Sequence, residues 1–500
     1  MAFRVATGED PFMLRTTALL ALALSLILTA DAALADVSVP SVFGDGMVLQ
    51  RDEPAPVWGK AKPAEKITVT CAGQSKTARA DSKGRWQVTL DPMKAGGPHE
   101  LVIAGKNTIT IRDVLVGEVW VCSGQSNMQW PINRSANPQA EIDQANYPKL
   151  RLLHVPRGTE PEAQDDFEGA WVPCSPKTVA SFSAVAYHFG RRLHEELEVP
   201  VGLIHTSYGG TPAEAWMDVT TLKKTKALKP LRLRWERAVA AAEKQGRNGD
   251  RTVYSPHRPG NLWNAMVLPL VPYRIRGVIW YQGESNAGRA VQYRTLFPTM
   301  IGAWRKHWGQ GDFPFYFVQL ANWRALPEKP GPSTWAELRE AQTLTLEKVA
   351  NTGMALAIDI GEARDIHPKN KQDVGKRLAA LALTRDYGKR VPVTGPRFKS
   401  WKPGKDGSAV LTLEHATGLQ TDDDDPPRAF QIAGRDKVFH WATARIEGET
   451  IVLSCPAVKK PVAIRYAWAD NPGVNLVNGD YLPLAPFRTD DWPLTTEGRH

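Results

Sequence analysis

The stretch Val119-Trp120-Val121-Cys122-Ser123-Gly124-Gln125-Ser126-Asn127-Met128 decides the fold. Its first four residues are apolar without alternation, the pattern of a strand covered on both faces of a sheet. Gly124 then lets the chain turn sharply and leaves Ser126 exposed on the turn. Position 128 is methionine, so this is not the G-x-S-x-G elbow of the α/β-hydrolases. Far downstream, Met354-Ala355-Leu356-Ala357-Ile358-Asp359 reads as another strand, followed by Asp365-Ile366-His367-Pro368 on a loop. A serine on a tight turn and a histidine after a late strand point to the nucleophile and base of a hydrolase.

The surroundings of both segments fit an α/β architecture. Gly277-Val278-Ile279-Trp280-Tyr281 and Phe315-Tyr316-Phe317-Val318 are also apolar throughout. Between such strands lie helical patterns over 184–197, 334–349 and 369–384, with Thr334 and Glu337 forming a capping box at the start of the second. Residues 113–395 are therefore expected to form a three-layer α/β/α domain with a mainly parallel sheet. Residues 36–112 differ. Ile67-Thr68-Val69-Thr70-Cys71 and Trp86-Gln87-Val88-Thr89-Leu90 alternate and are punctuated by Gly-rich turns, as in a small β-sandwich. Residues 396–500 return to β character, as in Ala409-Val410-Leu411-Thr412-Leu413. Five hundred residues accommodate this division, because a single core rarely grows past about 250–300 residues.

The N-terminal 35 residues read as a secretory signal. Leu14-Arg15 gives a basic flank, Ala18 to Leu28 an apolar stretch, and Ala33-Leu34-Ala35 a cleavage site before Asp36. The expected compartment is periplasmic or extracellular. The stretch is too short for a comfortable membrane span, and no later run is long and apolar enough for stable membrane insertion. The leader carries two arginines and three acids, so its loss takes the formal charge from +9 to +10. The basic residues are scattered, with no dense run and no interleaved aromatics, which argues against a nucleic-acid partner. The four cysteines, Cys71, Cys122, Cys174 and Cys455, form no C-x-x-C or His/Cys cluster, so no metal site is expected. Cys122 lies in an apolar strand and is expected as a buried thiol, ahead of a Cys122–Cys174 bridge.

A serine hydroxyl attacks poorly until a base takes its proton. His367 is the base candidate, since active sites of open α/β sheets gather at the carboxyl ends of the strands. The serine has two candidates, because Gly283-Glu284-Ser285-Asn286 mimics Gly124-Gln125-Ser126-Asn127. Acyl transfer also needs donors around the developing oxyanion. The candidates are the backbone N–H of Ser126, the backbone of Gly209 or Gly210, and the side-chain amide of Gln282. Gly209-Gly210 equally fits a plain strand-to-loop turn, and Gln282 an ordinary polar residue at a strand end.

The segment 119–128 resembles the first motif of the sialate O-acetylesterase family within the SGNH-hydrolase superfamily. Gly209-Gly210-Thr211-Pro212-Ala213-Glu214-Ala215-Trp216 resembles its second motif, Trp280-Tyr281-Gln282-Gly283-Glu284-Ser285-Asn286-Ala287 its third, and Asp365-Ile366-His367-Pro368-Lys369-Asn370-Lys371 its last. The opening Val42-Phe43-Gly44-Asp45-Gly46-Met47 and the ending Arg465-Tyr466-Ala467-Trp468-Ala469-Asp470-Asn471-Pro472 resemble that family too. The resemblance implies an SGNH-hydrolase fold, with Ser126 as nucleophile and His367 as base. It puts Gly209-Gly210 and Gln282 near the oxyanion and gives Glu284 a supporting or substrate-binding place. Many SGNH enzymes carry the orienting aspartate three residues before the histidine; here Arg364 occupies that position and Asp365 lies two before. A two-residue offset on an extended segment keeps both side chains on one face, which favours Asp365. Asp359, Glu362 or a backbone carbonyl are the alternatives.

These readings lead to an exported serine esterase that removes O-acetyl groups from a carbohydrate, O-acetylated sialic acids first, without metal or organic cofactor. Acetylated hemicellulose such as xylan is the alternative substrate, and a non-catalytic carbohydrate-binding protein on an esterase fold the alternative function. Asn264, Arg339 and Gln342 are polar candidates for sugar hydroxyl or carboxylate contacts. Trp216, Trp263, Trp280 and Trp335 are candidates for stacking on sugar faces, with core packing as their ordinary role.

Overall fold

A computed structural model of the chain describes Met1, residues 36–246 and residues 251–500. The expected leader falls, Met1 apart, outside the described residues. The N-terminal region supplies β1 (Val48–Gln50), β2 (Ala55–Lys60), β3 (Lys66–Cys71), β4 (Gln74–Arg79), β5 (Arg85–Leu90) and β6 (Gly96–Ala104). Alternation in the sequence appears directly as burial: Ile67, Val69 and Cys71 of β3, and Trp86, Val88 and Leu90 of β5, point inward.

One strand joins this region to the rest. β7 (Thr108–Gly124) runs for 17 residues. Its first half pairs antiparallel with β6 and parallel with β1. Its second half pairs in parallel with β10 (Val201–Ser207) and β11 (Gly277–Tyr281). The change of sequence character near residue 112 thus falls inside a continuous strand. β8 (Tyr147–His154), β9 (Trp171–Cys174), β12 (Phe315–Val318) and β13 (Thr352–Ala355) complete the order β13-β12-β11-β7-β10-β8-β9 within an eleven-stranded mixed sheet. Along this order β9 alone runs antiparallel to its neighbour.

Both faces of the central strands are covered, which explains their unbroken apolar sequence. Val119 and Val121 enter one core cluster and Trp120 and Cys122 another. After β7 comes the single-turn helix α1 (Ser126–Gln129), followed by α2 (Ala184–Leu197), α3 (Ala290–Trp308), α4 (Thr334–Lys348) and α5 (Lys371–Arg385). Helices α3 and α4 pack into the first cluster, α2 and α5 into the second. Ser333 caps α4, accepting from the Ala336 N–H at 3.0 Å. The cap thus sits one residue before Thr334. Glu337 turns instead to the C-terminal tail, accepting from Thr495 and Thr496.

Beyond α5 the chain forms two four-stranded antiparallel sheets. Arg397–Pro403, Ala409–Glu414, Thr450–Ser454 and Thr443–Glu447 make one; Phe439–Trp441, Phe430–Ala433, Ala463–Tyr466 and Phe487–Arg488 make the other. Their inner faces meet in a third cluster that includes Leu411, Ile451, Phe430, Ile464 and, from the central α/β region, Ile358. The four tryptophans singled out above, Trp216, Trp263, Trp280 and Trp335, are all buried. They are core residues, and Trp216, Trp280 and Trp304 stack edge to face as neighbours. All four cysteines are free thiols, so Cys122 and Cys174 are not bridged.

Candidate active site

Strands β7, β10, β11, β12 and β13 run in one direction, so the loops after them gather at one edge of the sheet. Ser126 starts α1 directly after β7. The turn depends on Gly124, whose φ is +141°; a Cβ there would lie 2.2 Å from the carbonyl oxygen of Tyr281. That same oxygen accepts the Gln125 N–H at 2.9 Å. The serine turn is therefore pressed against the end of β11, and any side chain at 124 forces it away.

His367 sits on the loop between β13 and α5. Its Nδ1 lies 3.3 Å from the Asp365 carboxylate, which also accepts the His367 backbone N–H at 2.9 Å. The two-residue offset is thus compatible with an orienting carboxylate. The alternatives are spent elsewhere: Asp359 is bound by both Arg377 nitrogens at 2.7 and 2.6 Å, and Glu362 accepts the Lys369 N–H. The opposite wall of the imidazole is Trp130, stacked at 4.7 Å between centroids and 11° between planes. Burial pushes the His367 pKa below its ordinary value; Asp365 opposes the shift and Lys371 adds to it.

Serine and histidine are coupled through the residue after the serine. Asn127 Nδ2 donates to the Ile366 carbonyl at 3.0 Å, directly before His367, and to Glu284 Oε1 at 2.6 Å. Its Oδ1 accepts from Lys371 Nζ at 2.5 Å. Glu284 and Lys371 are both withdrawn from water behind the site. Burial raises the Glu284 pKa and pushes that of Lys371 down to about 7, with Glu284, Asp365 and Glu362 pulling the lysine back up. Glu284 therefore holds Asn127. Ser126 Oγ and the His367 ring make no direct hydrogen bond among the described residues; such bonds often tighten only in the substrate complex.

The oxyanion candidates separate. Among the described residues the Ser126 N–H is an unpaired donor at the start of α1. The exposed Gly210, at φ +77°, also has an unpaired N–H among the described residues. Gly209 donates to Gln129 Oε1 at 2.8 Å, and a Cβ on it would lie 3.2 Å from the Ser126 Cβ, so this loop lies against the nucleophile. Gln282 does not face the site. It is fully buried, its Nε2 donates to Thr211 O and Asn286 Oδ1, and its Oε1 accepts from Tyr293. It braces the loops from within.

The expected sugar ligands are corrected in the same way. Arg339 is completely buried and donates to four backbone carbonyls, those of Leu320, Ala321, Ala469 and Asp470. Gln342 donates to Gln282 O and Val318 O and accepts the Leu320 N–H. Asn264 donates to Glu160 O and Pro161 O. Each satisfies carbonyls left unpaired where strands end and loops cross, a need that buried backbone imposes. Ser285, the rival serine, donates its N–H to Gln125 Oε1 at 3.3 Å and lies on the supporting turn. Sequence reasoning gave no role to Asn127, Trp130 or Lys371. Two of them stood inside quoted motifs, but a lysine opening a helix ordinarily reads as a solvated charge.

Among the described residues no cluster of His, Cys, Asp and Glu is arranged to hold a metal. No described helix is long and apolar enough to cross a membrane.

The family model for the carbohydrate esterase, sialic acid-specific acetylesterase, matches residues 116–384, which is more than half the chain. The mouse sialate O-acetylesterase is 34% identical over 492 residues, covering 86% of this chain and 89% of its own. The human sialate O-acetylesterase is 33% identical, with 91% and 92% covered. The crystal structure of a carbohydrate acetylesterase from Xanthomonas citri superposes with a TM-score of 0.82 at 40% identity, covering 91% of this chain and all of that one. With a serine turn, an aspartate-held histidine and matches of this extent, the chain belongs to the sialic acid-specific acetylesterase family and is a carboxylic ester hydrolase that deacetylates carbohydrate.

Proposed function

We propose that the chain is an exported serine esterase that removes O-acetyl groups from sialic acids through an acetyl-Ser126 intermediate. The observation that carries the mechanism is a link from the Ser126 turn to His367: Asn127 hydrogen-bonds the carbonyl next to the histidine. Ser126 Oγ attacks the acetyl carbonyl while His367 takes its proton. The tetrahedral oxyanion meets the N–H groups of Ser126 and Gly210, and the leaving sugar oxygen receives the proton from His367. Water, deprotonated by the same histidine, then attacks the acetyl carbonyl and releases acetate and free Ser126. Asp365 holds the imidazole with Nδ1 protonated, leaving Nε2 to exchange protons with the reacting oxygens.

Core clusters on the two faces of the central strands support a three-layer reading of the catalytic region. Sialic acids come first as substrates because the matched family and the curated relatives carry that name. Export rests on the A-x-A site before Asp36 and is tested by N-terminal sequencing of material secreted by the native host. Acetate release measured across O-acetylated sialic acids, acetyl xylan and acetyl mannan tests the substrate. Release from xylan alone moves the assignment to hemicellulose. Release from none of these, nor from a chromogenic acetate, leaves a binding protein on an esterase fold.

A further inference from the structure

The loop after β12 leads away from the site into a trough between the catalytic region and the C-terminal sheets. Trp323 bridges to Glu362, and Glu362 to Asp365, so this loop is stitched to the one carrying His367. The next residue, Arg324, has a left-handed backbone with φ +79°, an uncommon state for a side chain of this size. It is held there from the other domain: Asn471 Nδ2 donates to its carbonyl at 2.7 Å, and its guanidinium meets Asp470 at 3.0 Å. The guanidinium lies over the Trp323 ring, 4.5 Å from its centre.

From Arg324 outward the surface is concave. A cavity of about 170 Å³ begins there, and a second of about 380 Å³ continues it; both are lined by Pro330, Gly331, Pro332 and Trp468. The far end is formed by Phe439 and the half-exposed Trp492, whose rings lie 5.3 Å apart. Lys437 Nζ sits 5.4 Å over the Trp492 ring, and neither Lys437 nor Lys329 has an acidic partner among the described residues. The acids along the trough are already engaged, Asp470 by Arg324 and Ser333, and Glu337 by the tail. A seam serving only to pack two domains is expected to be filled. This one stays open and is lined by aromatic rings, prolines and cations, with Lys437 over the Trp492 ring and Arg465 over the Phe439 and Trp468 rings. Flat rings suit the C–H faces of sugars, and clefts between domains are preferred ligand sites.

We propose that this trough holds the sugar chain flanking the acetylated unit, so that the preferred substrate is an acetylated sugar still attached to its glycan. The proposal rests on the carbohydrate-deacetylase reading above. Two substrates test it, carrying the same acetyl group on a free monosaccharide and on that sugar within an oligosaccharide. The wild-type kcat/KM is expected to favour the oligosaccharide by about tenfold or more, and the ratio to fall toward one in Trp492→Ala and Lys437→Ala, mainly through KM. Taking the ratio within each protein cancels any partial loss of folding. A wild type indifferent to chain length, or variants that keep the ratio, overturns the proposal. If acetate is released from neither sugar, calorimetric titration of Ser126→Ala with the oligosaccharide judges the trough separately from the chemistry. Binding lost on adding Trp492→Ala supports it, and absent binding, or binding indifferent to Trp492→Ala, overturns it.

Discussion

The ammonium of Lys371 lies 2.5 Å from the side-chain oxygen of Asn127, the residue after Ser126, and is out of contact with water. A positive charge so placed opposes protonation of the nearby imidazole, and His367 must be neutral to act as base. Removing the charge raises the His367 pKa. In Lys371→Met the acidic limb of the kcat/KM–pH profile is expected to move to higher pH. The position of the limb, unlike its height, does not depend on how much active protein survives the substitution. A limb that stays in place, or moves to lower pH, removes this role.

Ser126, not Ser285, should carry the acyl group. A fluorophosphonate adduct mapped by peptide mass spectrometry is expected on Ser126, and Ser126→Ala should lower turnover by at least about ten-thousandfold. The Ser285 backbone is tied to Gln125, which makes its turn a support for the first one. An adduct on Ser285 would reverse the assignment.

The two candidate orienting carboxylates should separate by kind of effect. Asp365 touches His367, so Asp365→Asn should slow turnover while His367→Ala slows it further. Asp359 is locked to Arg377 with both side chains largely buried, so Asp359→Asn should cost about 3 kcal/mol of stability, read as a lower Tm, with the pH profile of activity unmoved. A shifted profile in Asp359→Asn would place that residue in the machinery after all.

Trp130 fixes one face of the imidazole. Trp130→Ala should leave the ring free to swing and lower kcat by roughly ten- to a hundredfold, with a smaller change in KM. A change confined to KM would make the indole a substrate contact instead.

Much of this was open to reading from the residues. Ile67, Val69 and Cys71 alternate because one face of β3 meets solvent, and the apolar run 277–281 does not because β11 is covered on both sides. Ser126 opens a short helix directly after one apolar strand, and Asp365 and His367 stand on a loop after another, at the sheet edge their sequence positions suggest. The misreadings share one cause. Arg339, Gln342 and Gln282 are polar residues close to motif segments, and polarity near a motif suggests a ligand. Their actual partners are carbonyls such as Leu320 O and Ala469 O, orphaned at strand ends and brought together by tertiary structure alone. Local spacing carries no record of which carbonyls will lack a donor. Nor does it distinguish a lysine that opens a helix in water from Lys371, which is surrounded by the distant Asn127, Tyr281 and Glu284.

The 17-residue strand β7 has a further consequence. At its start Thr108 pairs with Ala104, midway Leu115 pairs with Val48, and at its end Gly124 pairs with Tyr281. A slip of one residue at either end would send every β7 side chain to the opposite face and carry Ser126 out of line with its partners. The N-terminal strands therefore act as a register clamp on the nucleophile. A fragment cut at residue 113 loses β1, β6 and the first residues of β7, and with them one of the two sets of pairings that fix where the serine stands.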